Sequence, residues 1–372
     1  MNVPKLRFKE FKDEWSTIEL SKISSEISYG MGLPSKEYDG INKYIRITDI
    51  DENTSKYTNK DIVSPDGELE DKYIVKKNDI LFARTGASTG KTYLYDKKDG
   101  KLYYAGFLIK ANIINHDANF IFQQTHTSKY NKWIKVMSMR SGQPGINSQE
   151  YGSYKFSITS KTEEYKISKT LQLLDKKIEL QTKKIEDLKL FKKGLLQKQY
   201  NYIKDKNLVE LSYIANIYQP QTISQNKLDN GKYFVFGANG IIGKYSRYNH
   251  KQKQITISCR GENSGKVNIT PEKCWITGNS MVLNTDNNYN VDKIYLKCVL
   301  DSQNLRYLIS GSGQPQITRN VILKHKIPLL PISEQKKFRN PFIKLDLKIH
   351  LEETKVNKLL DIKKGLMQDM FV

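Results

Sequence analysis

The sequence predicts an α+β fold made by tandem duplication: a mixed α/β domain followed by a long helix, twice over. The two helices are expected to pair as an antiparallel coiled coil about a pseudo-two-fold axis. Three observations predict this. Residues 163–200 return at residues 334–371 without a gap, at a constant offset of 171 that pairs Leu174 with Leu345, Asp175 with Asp346, Lys177 with Lys348 and Leu188 with Leu359. Within each copy, apolar residues recur at alternating steps of four and three. The motifs ahead of each copy also recur in one order.

The helices carry the clearest signal. The first has Ile167, Leu171, Leu174, Ile178, Ile185, Leu188 and Leu195 along one seam. The second has Phe338, Phe342, Leu345, Ile349, Val356, Leu359 and Leu366. That spacing is a coiled-coil seam, and Leu171, Leu174, Ile178, Ile185 and Leu188 are expected to meet Phe342, Leu345, Ile349, Val356 and Leu359. The interruptions coincide too: Gln181 matches Glu352, and Lys192 matches Lys363. Polar seam residues cost stability and tend to fix register. Two identical stripes imply a pseudo-dimer within one chain.

The expected segments are a first domain over 1–162, a helix over 163–200, a second domain over 201–332 and a helix over 333–372. In the first domain, residues 15–23 read as a lead-in helix and 43–50 as an alternating strand. Asp79–Ala83 reads as an apolar strand entering the glycine-rich loop Arg84–Lys91. Strands are expected within 101–114, a helix over 131–139 and a turn at 141–146. The second domain repeats this: a lead-in at 207–214, a strand at 232–236, and residues 254–258 entering the loop Arg260–Lys266. A turn follows at 312–317.

The formal net charge is +21. The basic excess is +5 over residues 1–162, +4 over 163–200, +9 over 201–332 and +3 over 333–372, so no tail carries it. Such a balance favours a polyanionic partner, above all nucleic acid. No run is apolar enough to span a membrane, and no secretory signal opens the chain. Three cysteines without a CxxC pair argue against a zinc or disulfide scaffold and for the cytoplasm.

Chemical motifs are near misses. Gly86–Thr92 resembles a phosphate-binding loop but has three residues between Gly86 and Gly90-Lys91 where that loop requires four. Asn340-Pro341-Phe342 lacks the second proline of an adenine methyltransferase tetrapeptide, and a proline at a helix start is the simpler reading. Pro65-Asp66 with Glu70-Asp71-Lys72 reads as a charged loop, and the five histidines lack metal or triad spacing. No catalytic residue and no metal site is expected.

The order of these segments resembles the specificity subunit of type I restriction–modification systems over essentially the whole chain. Residues 4–15, 79–95, 233–243 and 327–335 and both helices carry the likeness. One departure is that residues 158–164 lack the Pro-x-x-Glu-Gln junction present at residues 331–335. The resemblance implies two target-recognition domains on double-stranded DNA, each reading half of a split, asymmetric site. It also implies that the helices dock two modification (methyltransferase) subunits, joined by restriction/translocase subunits. S-adenosylmethionine, ATP and magnesium would belong to those partners. The DNA-binding residues expected are Arg84, Thr85, Ser88, Thr89, Lys91 and Gln143 in the first domain and Arg260, Asn263, Ser264, Lys266 and Gln314 in the second. A helix of about 30 residues is roughly 45 Å long, which spans about a dozen base pairs. The competing readings are a nuclease or methyltransferase acting alone, and a structural coiled-coil protein.

Overall fold

In the computed structural model, residues 3–139, 145–229, 231–238, 240–309 and 316–372 are described. The chain forms two compact units, Met1–Gln181 with Lys355–Val372, and Thr182–Thr354.

Unit 1 opens with β1 (Ser16–Glu19), β2 (Ser24–Tyr29), β3 (Ser35–Glu37), β4 (Lys43–Ile45) and β5 (Val63–Pro65). β6 (Asp79–Ala83), β7 (Thr92–Leu94), β8 (Leu102–Tyr104) and β9 (Leu108–Ile113) follow. Then come α1 (Ala118–Gln124), α2 (Ser128–Ser138), α3 (Ser148–Ser153) and β10 (Lys155–Ile158). A four-stranded sheet runs β2-β9-β6-β7, with β1-β10, β3-β5 and the parallel pair β4-β8 around it. All five residues of β6 are buried, and their period-two alternation serves two cores. Ile80 and Phe82 pack with Trp15, Phe120 and Tyr151, whereas Leu81 and Ala83 pack with Ile45, Tyr93 and Tyr104. Side chains cap the helices: Asp117 accepts from the Phe120 amide, and Asn147 and Glu150 form a reciprocal box.

The long helix α4 (Lys161–Asn201) leaves unit 1, and unit 2 contains β11 (Leu208–Glu210), α5 (Leu211–Ile214) and β12 (Asn216–Tyr218). β13 (Tyr233–Gly237) and β14 (Gly240–Tyr245) form a hairpin, followed by β15 (Ile255–Ser258), β16 (Val267–Ile269), β17 (Trp275–Ile276) and β18 (Ser280–Asn284). α6 (Lys293–Ser302), α7 (Arg319–Leu323) and β19 (Lys326–Pro328) lead to α8 (Ile332–Asp369). Here the four-stranded sheet runs β12-β18-β15-β16, accompanied by β11-β19 and β14-β13-β17. The main orders match those of unit 1, with β13 parallel to β17 as β4 is to β8. Unit 1 adds the β3–β5 pair to this plan, and unit 2 adds the β14 arm of its hairpin.

Three local readings are corrected. Residues 15–23 form strand β1 and a short 3-10 turn, because residues 16–19 find backbone partners on β10. The strand expected over 43–50 stops at Ile45, where the Arg46 guanidinium and backbone close onto the Asp49 carboxylate and tighten a 3-10 turn. Pro341 lies inside α8, which already begins at Ile332, so it removes a hydrogen bond to the Lys337 carbonyl in place of starting the helix.

On both long helices the covered positions follow the seven-residue repeat. Leu171, Leu174, Ile178, Ile185 and Leu188 are buried or half-buried, as are Phe342, Leu345, Ile349, Val356 and Leu359. In unit 1, Asp175 on α4 pairs with Lys363 on α8 at 2.6 Å. In unit 2, Lys184 pairs with Glu352 at 2.8 Å, Lys189 with Glu353 at 2.7 Å and Lys192 with Asp346 at 2.5 Å. Within unit 2, Lys184 meets Glu352 while Lys192, further along α4, meets Asp346, further back along α8, which is antiparallel order.

Candidate nucleic-acid interface

In unit 1 the loop after β6 is closed by two backbone bonds, Ala83 N to Lys91 O (2.8 Å) and Gly90 N to Ala83 O (3.0 Å). A 3-10 turn fills it, with Thr89 N donating to Gly86 O and Lys91 N to Ser88 O. Gly86 and Gly90 have φ of +67° and +91°, which only glycine adopts without strain. A Cβ on Gly90 would also lie 2.7 Å from the Ile134 side chain. The chain then continues as strand β7, so no helix N-terminus faces the loop and the phosphate-loop arrangement is absent.

Unit 2 repeats every bond. Ser258 N donates to Lys266 O, Gly265 N to Ser258 O, Ser264 N to Gly261 O and Lys266 N to Asn263 O. Gly261 and Gly265 again have positive φ, +79° and +89°. The bonding pattern makes Ala83 equivalent to Ser258, Gly86 to Gly261 and Lys91 to Lys266. Arg84 is therefore equivalent to Cys259 and Thr85 to Arg260. Each loop root is tied to the turn ahead of the next element: Ile146 N donates to Arg84 O, and Ile317 N to Cys259 O. Thr85 bridges Gly145 just as Arg260 bridges Gln316.

The expected contact residues therefore differ in availability. Arg84 is half-buried; its guanidinium lies 4.8 Å from the Tyr29 ring centroid and donates to Gly106 O at 3.4 Å. Partial burial on its own would push the neighbouring Tyr29 hydroxyl up. Hydrogen bonds from Ser148 and the Arg84 charge outweigh it, and Tyr29 titrates below the usual tyrosine range. The Thr89 and Ser264 hydroxyls donate to Gly86 O and Gly261 O inside their own loops. Ser88 and Thr85 are half-buried at the loop rim, and Lys91 approaches Glu52 at 3.9 Å. Arg260 is exposed, and Lys266 stands at the opposite end of its loop. Gln143 and Gln314 lie outside the described residues. Lys266 and Asn263 also line a cleft of about 610 Å³ within unit 2, with Lys193, Asn304 and Arg306 on its other walls. Sequence reasoning missed Tyr29, Lys193 and Arg306, because their approach to the loops depends on how strand β2, helix α4 and the turn at Leu305–Leu308 pack, and not on spacing.

Among the described residues no group of three His, Cys, Asp or Glu side chains gathers to hold a metal, and no helix is long and apolar enough to cross a membrane. Cys259, Cys274 and Cys298 are buried and form no disulfide; burial pushes the Cys298 thiol up to about 12.

Known proteins match this architecture. A family profile described as the type I restriction modification DNA specificity domain matches residues 13–190 and again 203–361. The MjaX specificity subunit assigned in Methanocaldococcus jannaschii is 26% identical over 98% of this chain and 95% of its own length. The MjaVIII specificity subunit of the same organism is 23% identical over 84% of this chain and 80% of its own. The crystal structure of a type I S subunit from M. genitalium superposes with a TM-score of 0.65 at 18% identity, covering 100% of this chain and 99% of that one. A chain from a structural study of type I complex assembly and conformational transition gives 0.58 at 15% identity, covering 96% and 97%. The two profile matches fall one on each repeat, and the chain belongs to the type I restriction–modification DNA specificity family.

Proposed function

We propose that this chain reads a bipartite, asymmetric DNA site for a type I restriction–modification complex, each unit reading one half. The observation that carries the proposal is the loop frame built twice with identical backbone bonds and different side chains: Arg84-Thr85 in one unit, Cys259-Arg260 in the other. One frame with two side-chain sets suits two different half-sites. Arg260 and Lys266 would neutralise phosphates or reach guanine edges, and the net charge of +21 would add sequence-independent affinity.

In this reading α4 and α8 pair as an antiparallel coiled coil, and two modification subunits dock on that frame. Methyl transfer with S-adenosylmethionine, and ATP- and magnesium-dependent restriction, would take place on partner subunits in the cytoplasm. The test is to assemble the chain with its modification subunits and measure affinity for duplexes carrying the methylated site of the host. Replacing Arg260 and Lys266 by alanine should weaken binding and reduce the salt slope by about one phosphate contact each. Unchanged affinity and slope would reject these loops as the DNA face. Turnover of DNA by the purified chain alone, given S-adenosylmethionine and magnesium, would reject the non-catalytic reading.

A further inference from the structure

The common frame of the two units holds one exposed position whose chemistry changes completely. In unit 1 the turn between β8 and β9 is fixed by three backbone bonds: Ala105 N to Ile45 O (3.0 Å), Leu108 N to Ala105 O (2.8 Å) and Arg84 N to Phe107 O (3.0 Å). In unit 2 the turn between β17 and β18 has the same three: Thr277 N to Phe236 O (3.0 Å), Ser280 N to Thr277 O (3.1 Å) and Cys259 N to Asn279 O (3.2 Å). Ala105-Gly106-Phe107-Leu108 is thus equivalent to Thr277-Gly278-Asn279-Ser280. Both read buried, half-buried, exposed, buried.

The glycine in each turn is closely covered by a preceding segment. A Cβ on Gly106 would stand 3.1 Å from the Met31 carbonyl oxygen, and one on Gly278 would stand 2.6 Å from Thr222 Oγ1 and 2.8 Å from the Pro220 carbonyl oxygen. Each turn is therefore clamped between the loop root and a preceding segment, and the residue after the glycine projects from rigid backbone. Phe107 leaves 58% of its surface in water there, although its neighbour Leu108 is fully buried.

We propose that Phe107 and Asn279 are specificity-determining residues, each reading a base in the half-site of its own unit. The inference rests on the proposal that the glycine-rich loops face DNA, since each turn is bonded directly to a loop root. A phenylalanine ring cannot hydrogen-bond a phosphate oxygen, so this position is not a phosphate contact common to both units. Here the frame is kept while an apolar ring replaces an amide. Those two groups suit different base edges: an apolar surface packs on the 5-methyl group of thymine, and an Asn amide pairs with N6 and N7 of adenine.

The test uses the chain assembled with its modification subunits, and methylation mapping in a host carrying each variant. Asn279→Ala should relax discrimination at one base pair of the second half-site by about ten- to a hundredfold and leave the first half unchanged. Phe107→Asn should alter preference at one base pair of the first half-site only, while Phe107→Leu, still apolar, keeps it. With the wild-type complex, uracil in place of thymine at the position altered by Phe107→Asn should weaken binding. Indifference to uracil at every thymine of the first half-site would overturn the ring–methyl contact. Unchanged methylation sites in both variants would overturn the inference as a whole. Arg260→Ala and Lys266→Ala, measured beside them, separate the two ideas: lost affinity there leaves the DNA face standing, and unchanged affinity removes that face as well.

Discussion

Asp175 on α4 meets Lys363 on α8 at 2.6 Å in unit 1, and the repeat converts this pair into Lys192 with Asp346 at 2.5 Å in unit 2. The offset of 171 carries Asp175 to Asp346 and Lys192 to Lys363, so each pair is the other with its partners exchanged. Lys192 and Lys363 are also two of the four residues that interrupt the apolar seam, and each faces an aspartate of the opposite helix. Glu352, a third interruption, pairs with Lys184. Polar seam residues that find partners in only one alignment favour that register over slipped ones.

Charge exchange tests this. Lys363→Glu should lower stability, because the new carboxylate would face that of Asp175, and Asp175→Lys in the same chain should restore most of the loss. Half-exposed ion pairs couple weakly, so a double-mutant cycle by chemical denaturation should give about 0.5–1 kcal/mol. A coupling near zero would mean that the seam alone sets the register.

The junction ahead of each helix yields a second prediction. Gln335 of α8 is fully buried; it accepts from Asp292 N at 2.8 Å and donates to Asn290 O (2.8 Å) and Leu330 O (2.7 Å). Glu164, its repeat equivalent on α4, is equally buried and accepts from Asp117 N (3.1 Å), Thr159 N (3.3 Å) and His116 Nδ1 (2.8 Å). A carboxylate surrounded by donors and an amide with mixed partners cannot be interchanged. Glu164→Gln should turn an NH2 group toward backbone N–H donors, and Gln335→Glu should set a carboxylate against two carbonyls. Each should cost about 1–3 kcal/mol in thermal or chemical unfolding, and a neutral exchange would show that the clamp tolerates either group.

Much of this frame was legible in the residues. The helices were, because a seven-residue repeat is local; α4 and α8 run from Lys161 to Asn201 and from Ile332 to Asp369. The missing Pro-x-x-Glu-Gln junction is explained only by structure, since Glu164 finds different partners for the same task. Residues 16–19 read as helical until their partner strand, far along the chain, supplies hydrogen bonds. Matching the loops by residue type paired Arg84 with Arg260, whereas backbone bonding pairs Arg84 with Cys259. Side-chain identity misleads where the backbone frame is shared and its contents differ.

Acid should loosen unit 1 through His126. Its Nε2 meets Ser55 Oγ at 2.9 Å and its Nδ1 meets the Phe122 carbonyl at 3.1 Å, an arrangement that places a donor and an acceptor around the ring. Burial first, then the Lys363 charge, lowers its pKa to about 4. An unfolded histidine titrates near 6.5. Above that pH neither state binds the proton, and the ring has no effect on pH dependence. As pH falls from about 6.5 to 4 the unfolded chain takes up a proton that the folded one refuses, so stability declines, and it levels off below 4. The ring keeps some exposure, so the loss should be about 2 kcal/mol. His126→Gln should flatten that limb of the stability–pH curve, and an unchanged limb would assign it to other groups.

The last prediction concerns half of the chain. The core of unit 1 is completed by the end of α8: Met367, Met370 and Phe371 are buried against it, with Phe371 edge-on to Trp15 and tilted against Phe120. The Val372 carbonyl accepts from Lys129 Nζ and Ser157 Oγ. Residues 1–202 therefore encode an incomplete core. The repeat supplies a substitute, because Leu366, Met367 and Phe371 correspond to Leu195, Leu196 and Tyr200, which end α4 and pack in the core of unit 2. Leu196 and Tyr200 are close in volume to the residues they would replace, and volume-conserving exchanges in cores are tolerated. A fragment of residues 1–202 should thus be unstable as a monomer. At micromolar concentration it should form a homodimer in which each α4 fills the core of the other copy. Phe371→Ala in the full chain should cost about 3 kcal/mol, and Tyr200→Ala in the fragment should weaken dimerisation comparably. Light scattering decides the first point. Methylation mapping with modification subunits decides the second, where the dimer should direct a palindrome built from the first half-site. A stable monomeric fragment, or a dimer that methylates an asymmetric sequence, would rule out the two-fold exchange of helix ends.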